Sequence, residues 1–294
     1  MLTSSHLTPE VHMPTPFTLD LPDGRTLQLH DFDFSGSKAA RVVFWHHGTP
    51  NLGLPPEPLF DLSARLNVRW VSINRAGYGL STEKPGRSIL NTAEDVLQVA
   101  NALDLKRFGV MGHSGGGPHA LACAALMPER ITGVVSLAGL APFQATGLDW
   151  FAGMYPGGIQ TLQQAALGRT AKIQHEQSNP EYDPEMFTPS DHAVLSGAWS
   201  WLQTVVDGAL DHGISGLVDD DISYVTPWGF DPSQIQSKVL LVHGQQDRVV
   251  PFSHGVWLKQ HCSNAELWAI PEAGHLSVLN QAEQALEWLV RQDG

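Results

Sequence analysis

Apolar positions along the chain fall into two kinds of run. The first is short and nearly uninterrupted: Val42–Trp45, Val68–Ile73, Phe108–Met111, Val134–Leu137 and Val239–Val242. Short β-branched or aromatic runs without alternation are expected of strands covered on both faces, as in a parallel sheet. The second kind recurs at helical spacing. Val96, Val99, Ala100 and Leu103 mark one helix, with Thr92 as its cap; Leu121, Ala122, Ala125 and Leu126 mark another after residue 115; Leu279, Ala282, Leu286 and Leu289 mark the last, from about Ser277 to Arg291. The chain opens differently. Phe17–Leu21 and Thr26–His30 alternate around Pro22-Asp23-Gly24, which predicts a hairpin. Strands alternating with helices predict an α/β fold whose central sheet is mainly parallel and flanked by helices.

Residues 143–232 break this rhythm. The stretch is helical in places, as over Ile159–Ile173 and His192–Leu210, and carries Trp150, Trp199, Trp201 and Trp228. The reading is a helical cap inserted at 143–232 into a core made of 1–142 and 233–294. Residues 141–232 hold 12 acidic and 2 basic residues, a charge of −10 out of the chain's −13. That acidity argues against nucleic acid, whose phosphates need a basic face, and against anionic membranes. No run approaches the ~18 apolar residues of a membrane helix. The N-terminal MLTSSHLTPEVHMPTP lacks the basic start and apolar centre of a signal peptide. Cys123 and Cys262 make neither a disulfide framework nor a zinc site, so a reducing cytoplasm is the expected compartment. The 14 histidines include no HExxH and no Cys/His pair at zinc spacing, and no metal is expected.

Candidate chemistry centres on Gly112-His113-Ser114-Gly115-Gly116, a G-x-S-x-G pattern between the strand run at 108–111 and a helix. A serine on so sharp a strand-to-helix turn needs glycine two residues away on each side. The turn lifts the hydroxyl clear of the sheet, beside the N–H groups of a helix start. The same loop fits G-x-G-x-x-A from Gly115 to Ala120, a dinucleotide fingerprint. It lies outside the first strand–helix unit, though, and Leu137-Ala138-Gly139 offers no acid for a ribose, so no cofactor is expected. A serine needs a base, and the base an orienting acid. Asp247 stands just beyond the strand run at 239–242, and His275 lies on a loop between a predicted strand, Glu266–Ile270, and the last helix.

Together these residues resemble a capped α/β-hydrolase. The likeness rests on His47-Gly48-Thr49-Pro50, the loop Asn74–Ser81, the elbow Gly112–Gly116, Asp247 and His275, and covers nearly all of the chain outside 143–232. Asn74 replaces the family's usual Asp, in a loop read as structural. The resemblance implies a triad of Ser114, Asp247 and His275, with an oxyanion hole formed by the N–H groups of Thr49 and Gly115. His46 and His47 are read as shaping their loop, and Thr49–Pro50 as a site for a cis bond.

The implied reaction is hydrolysis of a carboxylic ester of a small, largely apolar molecule through an acyl-enzyme. A proline iminopeptidase-like aminopeptidase, a carbon–carbon bond hydrolase and a ligand receptor that barely turns over stand as alternatives. Epoxide hydrolases and haloalkane dehalogenases resemble the chain but use an aspartate at the elbow, so those reactions are not expected. Trp150, Trp199, Trp228 and Met154 are candidates to line the substrate pocket, or else to form the cap's own core. Asp219-Asp220-Asp221 is read as a solvated helix end.

Overall fold

The computed structural model describes residues 17–36, 40–181 and 183–293. The N-terminal stretch read for a signal peptide lies outside the described residues. Strands β1 (Phe17–Asp20), β2 (Thr26–Asp33), β3 (Arg41–His46), β4 (Val68–Ile73), β5 (Phe108–His113), β6 (Ile131–Leu137), β7 (Lys238–Gly244) and β8 (Ala265–Ile270) form one sheet. Their order is β1-β2-β4-β3-β5-β6-β7-β8. The opening hairpin and the β2–β4 pair are antiparallel, and every later pairing is parallel. Strands β5 to β7 are buried along nearly their whole length, which is why their sequences do not alternate.

The helices are α1 (Phe60–Leu66), α2 (Ile89–Ala102), α3 (Gly116–Leu126), α4 (Pro156–Ala166), α5 (Arg169–Gln177), α6 (Pro189–Leu195), α7 (Trp201–Asp207), α8 (Ser215–Tyr224), α9 (Phe252–His261) and α10 (Ala282–Val290). Four expectations of extent change. Helix α2 starts a turn earlier than predicted, because Ser88 and Asn91 form a reciprocal capping box and leave Thr92 buried inside the helix. The predicted helix over 159–173 divides into α4 and α5 at Gly168, whose φ of +107° a side chain would resist. The stretch 192–210 likewise divides into α6 and α7, and the last helix opens with a 3₁₀ segment, Ser277–Gln281.

Helices α4 to α8 all lie between β6 and β7 in sequence. The apolar side chains of these helices and of the loops around them do not close on a core of their own. Trp150, Met154, Leu162, Tyr224 and Trp228 join the apolar cluster that also holds α2, α3 and residues of the sheet. Val194, Trp199, Leu202 and Val205 join a second cluster, with Trp45, Trp70 and α10. The order of strands reverses between β3 and β5, so the loops that follow them diverge and leave a crevice at their carboxyl ends, the usual ligand position in open α/β sheets.

Candidate active site

Strand β5 delivers Ser114 to that crevice. Its φ is +55°, a left-handed conformation rare for a side-chain-bearing residue. The flanking glycines make the turn possible. A Cβ on Gly112 would sit 2.3 Å from the carbonyl oxygen of Gly116, and one on Gly116 would sit 2.1 Å from that of His46. Gly115 occupies the N-cap of α3, where the first N–H groups have no intrahelical acceptor.

Two distant segments meet the serine. Ser114 Oγ donates to His275 Nε2 over 2.9 Å, and His275 Nδ1 donates to Asp247 Oδ2 over 2.8 Å. The second bond fixes the tautomer that leaves Nε2 free to accept. Asp247 Oδ1 is held by the N–H groups of Val249 and Val250, each at 2.8 Å, so its carboxylate cannot rotate away. Both His275 and Asp247 are buried. Burial pulls the imidazole pKa down, but the charge and hydrogen bond of Asp247, with the charge of Asp191, outweigh it and hold the value above 6.5. His113 packs against the ring and donates from Nε2 to the carbonyl oxygen of His275. Its own pKa is pushed down to about 3 by burial and by His275, so it stays neutral.

The loop after β3 faces Ser114 from the other side, and its Thr49–Pro50 bond is cis. Arg75 holds this loop from below: Nη1 donates to the carbonyl oxygen of His47 (2.5 Å) and Nη2 to that of Gly48 (2.8 Å). His47 accepts the Arg75 backbone N–H at Nε2 and bonds the Gly48 carbonyl through Nδ1, a bracing role consistent with a pKa depressed mainly by burial. Asn74 braces the neighbouring loop by accepting from Gly53 N–H and donating to Gln28.

The acidic run in α8 overturns one expectation. Asp219, Asp220 and Asp221 are buried, not solvated. Asp219 pairs with Arg169, and Asp221 with Lys172. Asp220 accepts from Arg87 (2.5 Å), Arg75 (2.6 Å), Tyr78 (2.9 Å) and the Thr49 hydroxyl (2.7 Å). Burial alone would raise its pKa, but Arg75 and Arg87 hold it well below the carboxylate range. The three carboxylates of this run are therefore matched by internal cations.

The crevice opens into a cavity of about 600 Å³ lined by Thr49, Asn51, Ser114, His275 and mostly apolar side chains, among them Met186, Phe187, Leu195, Leu202, Val206 and Val249. None of the four predicted pocket residues lines it. Trp150 is buried against Phe143, Phe151 and His254 and donates from Nε1 to the carbonyl oxygen of Ala141. Trp228 packs on Phe230, Trp199 on Trp201, and Met154 lies in the core. The largest side chains fill the junction between inserted helices and core, where most area leaves water, and smaller aliphatic residues of α6 and α7 face the serine. Sequence spacing alone does not say which face of a short helix meets the site. Asp220 carried a usable signal, since Leu217 and Tyr224, three positions before it and four after, put buried side chains on its face of the helix.

Among the described residues, no group of three or more His, Cys, Asp or Glu side chains could hold a metal, and no helix is long and apolar enough to cross a membrane. Cys123 and Cys262 are free and buried.

An elbow serine in contact with a His–Asp pair, on a sheet of this order, defines the class. The chain belongs to the family of the alpha/beta hydrolase fold, whose model matches residues 41–282. It is 27% identical over 258 residues to the bifunctional esterase/perhydrolase DCH of Acinetobacter calcoaceticus, covering 84% of this chain and 90% of that protein. It is 26% identical over 271 residues to the 2-hydroxy-6-oxononadienedioate/2-hydroxy-6-oxononatrienedioate hydrolase of Escherichia coli K12, covering 88% of each. A thermophilic esterase from Thermogutta terrifontis shares the fold, with a TM-score of 0.70 and 18% identity over 96% of this chain and 100% of that one.

Proposed function

We propose that the protein is a serine hydrolase that cleaves carboxylic esters of small, uncharged and largely apolar molecules, with residues 143–232 acting as the cap over the site. The observation that carries this reading is the continuous hydrogen-bonded line Ser114–His275–Asp247 at the floor of an apolar cavity. Ser114 attacks the ester carbonyl while His275 Nε2 takes its proton. The tetrahedral oxyanion is held by the N–H groups of Gly115 and Thr49. His275 returns the proton to the departing alcohol, and water then releases the acyl group by the same steps in reverse.

The lining favours a neutral ester over a dioate. The Escherichia coli relative acts, by its name, on a dioate, a doubly charged molecule. Among the described residues no lysine or arginine lines this cavity, and a carboxylate buried there would lack a cation. A neutral ester has no such cost. The aminopeptidase reading loses support for the matching reason, because among the described residues no Asp or Glu lines the cavity to hold a substrate amine.

The test is labelling of Ser114 by a fluorophosphonate, together with hydrolysis of a panel of p-nitrophenyl esters, proline amides and vinylogous diketo acids. Turnover of neutral short- to medium-chain esters alone, abolished in Ser114→Ala, is the expected result. Labelling without turnover of any ester would sink the esterase reading, and absence of labelling would favour a non-catalytic ligand receptor.

A further inference from the structure

The triad needs no carboxylate from the inserted helices, yet one is bonded to the backbone of its histidine. Asp191 lies in the first turn of α6, behind the Thr188 cap, and is 1% exposed. Its Oδ2 accepts the N–H of Thr188 (3.0 Å) and of His275 (3.2 Å). Its Oδ1 accepts the N–H of Leu276 (2.8 Å), the N–H of Ser277 (2.7 Å) and the Ser277 hydroxyl (2.8 Å). Ser277 Oγ in turn accepts Gly274 N–H at 2.7 Å. One carboxylate thus gathers three consecutive N–H groups, those that open the 3₁₀ segment over Ser277–Gln281.

Two further features show how closely the segment is fitted to this group. A Cβ on Gly274 would lie 2.2 Å from Asp191 Oδ2 and 2.6 Å from Thr188 Oγ1. Among the described residues, Asp191 forms no ion pair with a lysine, arginine or histidine, so N–H and O–H donors alone meet its charge. Burial works against that charge, but these donors outweigh it and keep the pKa below the usual value.

We propose that Asp191 is a positioning residue for the reaction: from α6 it fixes the backbone that carries His275, and so keeps Nε2 within reach of Ser114. The seating of the inserted helices and the aim of the general base are then one variable. This inference rests on the serine hydrolase reading. The charged or titratable groups around the His275 ring are Asp247 after β7, His113 of β5 and Asp191 of α6; His243 of β7 faces Asp247 at 3.6 Å. Asp191 therefore adds a second negative charge that favours the imidazolium.

Asp191→Asn tests this on the full chain. It keeps the shape but turns an acceptor into an NH₂ group facing two N–H donors. We expect kcat for a neutral p-nitrophenyl ester to fall by about 10- to 100-fold, the scale of a slightly misplaced catalytic group, with KM changed by less than about threefold. The acidic limb of the kcat/KM profile should move to lower pH, because removing a negative charge lowers the imidazole pKa. Titration of the His275 ring by NMR should show the same downward shift without relying on turnover. Ser277→Ala keeps the charge and removes one donor; it should lower kcat by about three- to tenfold and leave the acidic limb in place. A folded Asp191→Asn protein with wild-type kcat and an unmoved His275 titration overturns the proposal. If that variant does not fold, an unchanged kcat in Ser277→Ala overturns it instead. A wild-type protein that neither labels with fluorophosphonate nor turns over esters refutes the hydrolase reading itself, while the NMR comparison still decides whether Asp191 governs His275.

Discussion

Replacing Asp220 by asparagine removes one charge from a site where two buried guanidiniums converge. Arg75 and Arg87 are each about 1% exposed at the side chain, and both bond this carboxylate. Water cannot screen what is left behind. Breaking a buried ion pair by removing one partner costs about 3–5 kcal/mol. For a chain of this size about 1 kcal/mol corresponds to roughly 2 °C, so Tm should fall by about 6–10 °C. Activity should suffer as well, because Asp220 holds Arg75, and Arg75 holds the carbonyl oxygens of His47 and Gly48 beside the proposed oxyanion donor. Loss of one such donor costs about 10²–10³-fold in kcat, and a loosened one should cost about tenfold. Thermal and urea unfolding with parallel ester kinetics provide the measurement. The pH dependence gives a second check. The folded pKa of Asp220 lies well below its unfolded value near 3.8, so its contribution is full above that value and is lost as pH falls through the folded pKa. The wild type should therefore lose stability on acidification below about pH 4 more steeply than the variant. Adding Arg87→Met, which removes one orphaned cation, should cost less than the two single changes summed. A variant with Tm within 2 °C of wild type and undiminished kcat would refute the claim that this carboxylate organises the loop.

Other expectations follow from the same geometry. Ser114→Ala should lower ester hydrolysis by about 10⁴-fold or more with Tm essentially retained, as checked by steady-state kinetics and differential scanning calorimetry. Since His275 must be neutral to accept a proton and its pKa is raised, kcat/KM should rise with pH through a midpoint above 6.5; a midpoint below 6 would contradict the assigned environment. Gly115→Ala puts a methyl group 2.1 Å from the Tyr224 hydroxyl and 2.9 Å from Thr49 Oγ1, and should lower kcat by at least about tenfold. Part of that loss should return in Gly115→Ala/Tyr224→Phe, where the clashing oxygen is gone. Leu202→Ala should shift preference toward longer acyl chains, whereas Trp150→Ala should destabilise by about 3–5 kcal/mol with the chain-length profile unchanged; the reverse pattern would return Trp150 to the cavity wall.

Sequence alone determined the features that depend on local chemistry. Uninterrupted apolar runs specified buried parallel strands, because a strand covered on both faces has no polar side to show. The glycines around Ser114 specified the elbow, because any side chain at Gly112 or Gly116 collides with a carbonyl oxygen. Asp247 and His275 could be picked out because each follows a strand end in the order that the family resemblance implies. Tertiary structure decided whatever depends on which faces meet. Trp150, Trp199, Trp228 and Met154 looked like pocket residues by size and apolarity, yet the same properties place them in the junction between helices and sheet. Asp219-Asp220-Asp221 looked like a solvated helix end, but Arg169, Arg75, Arg87 and Lys172 come to it from 49 to 145 positions away. Nothing in the sequence singles out Asp191, and only the folded chain sets its carboxylate against the backbone N–H groups of His275, Leu276 and Ser277. A hydrophobic pattern records how much of a segment leaves water, but the partner that covers it, or neutralises its charge, is set by contacts between segments far apart in the chain.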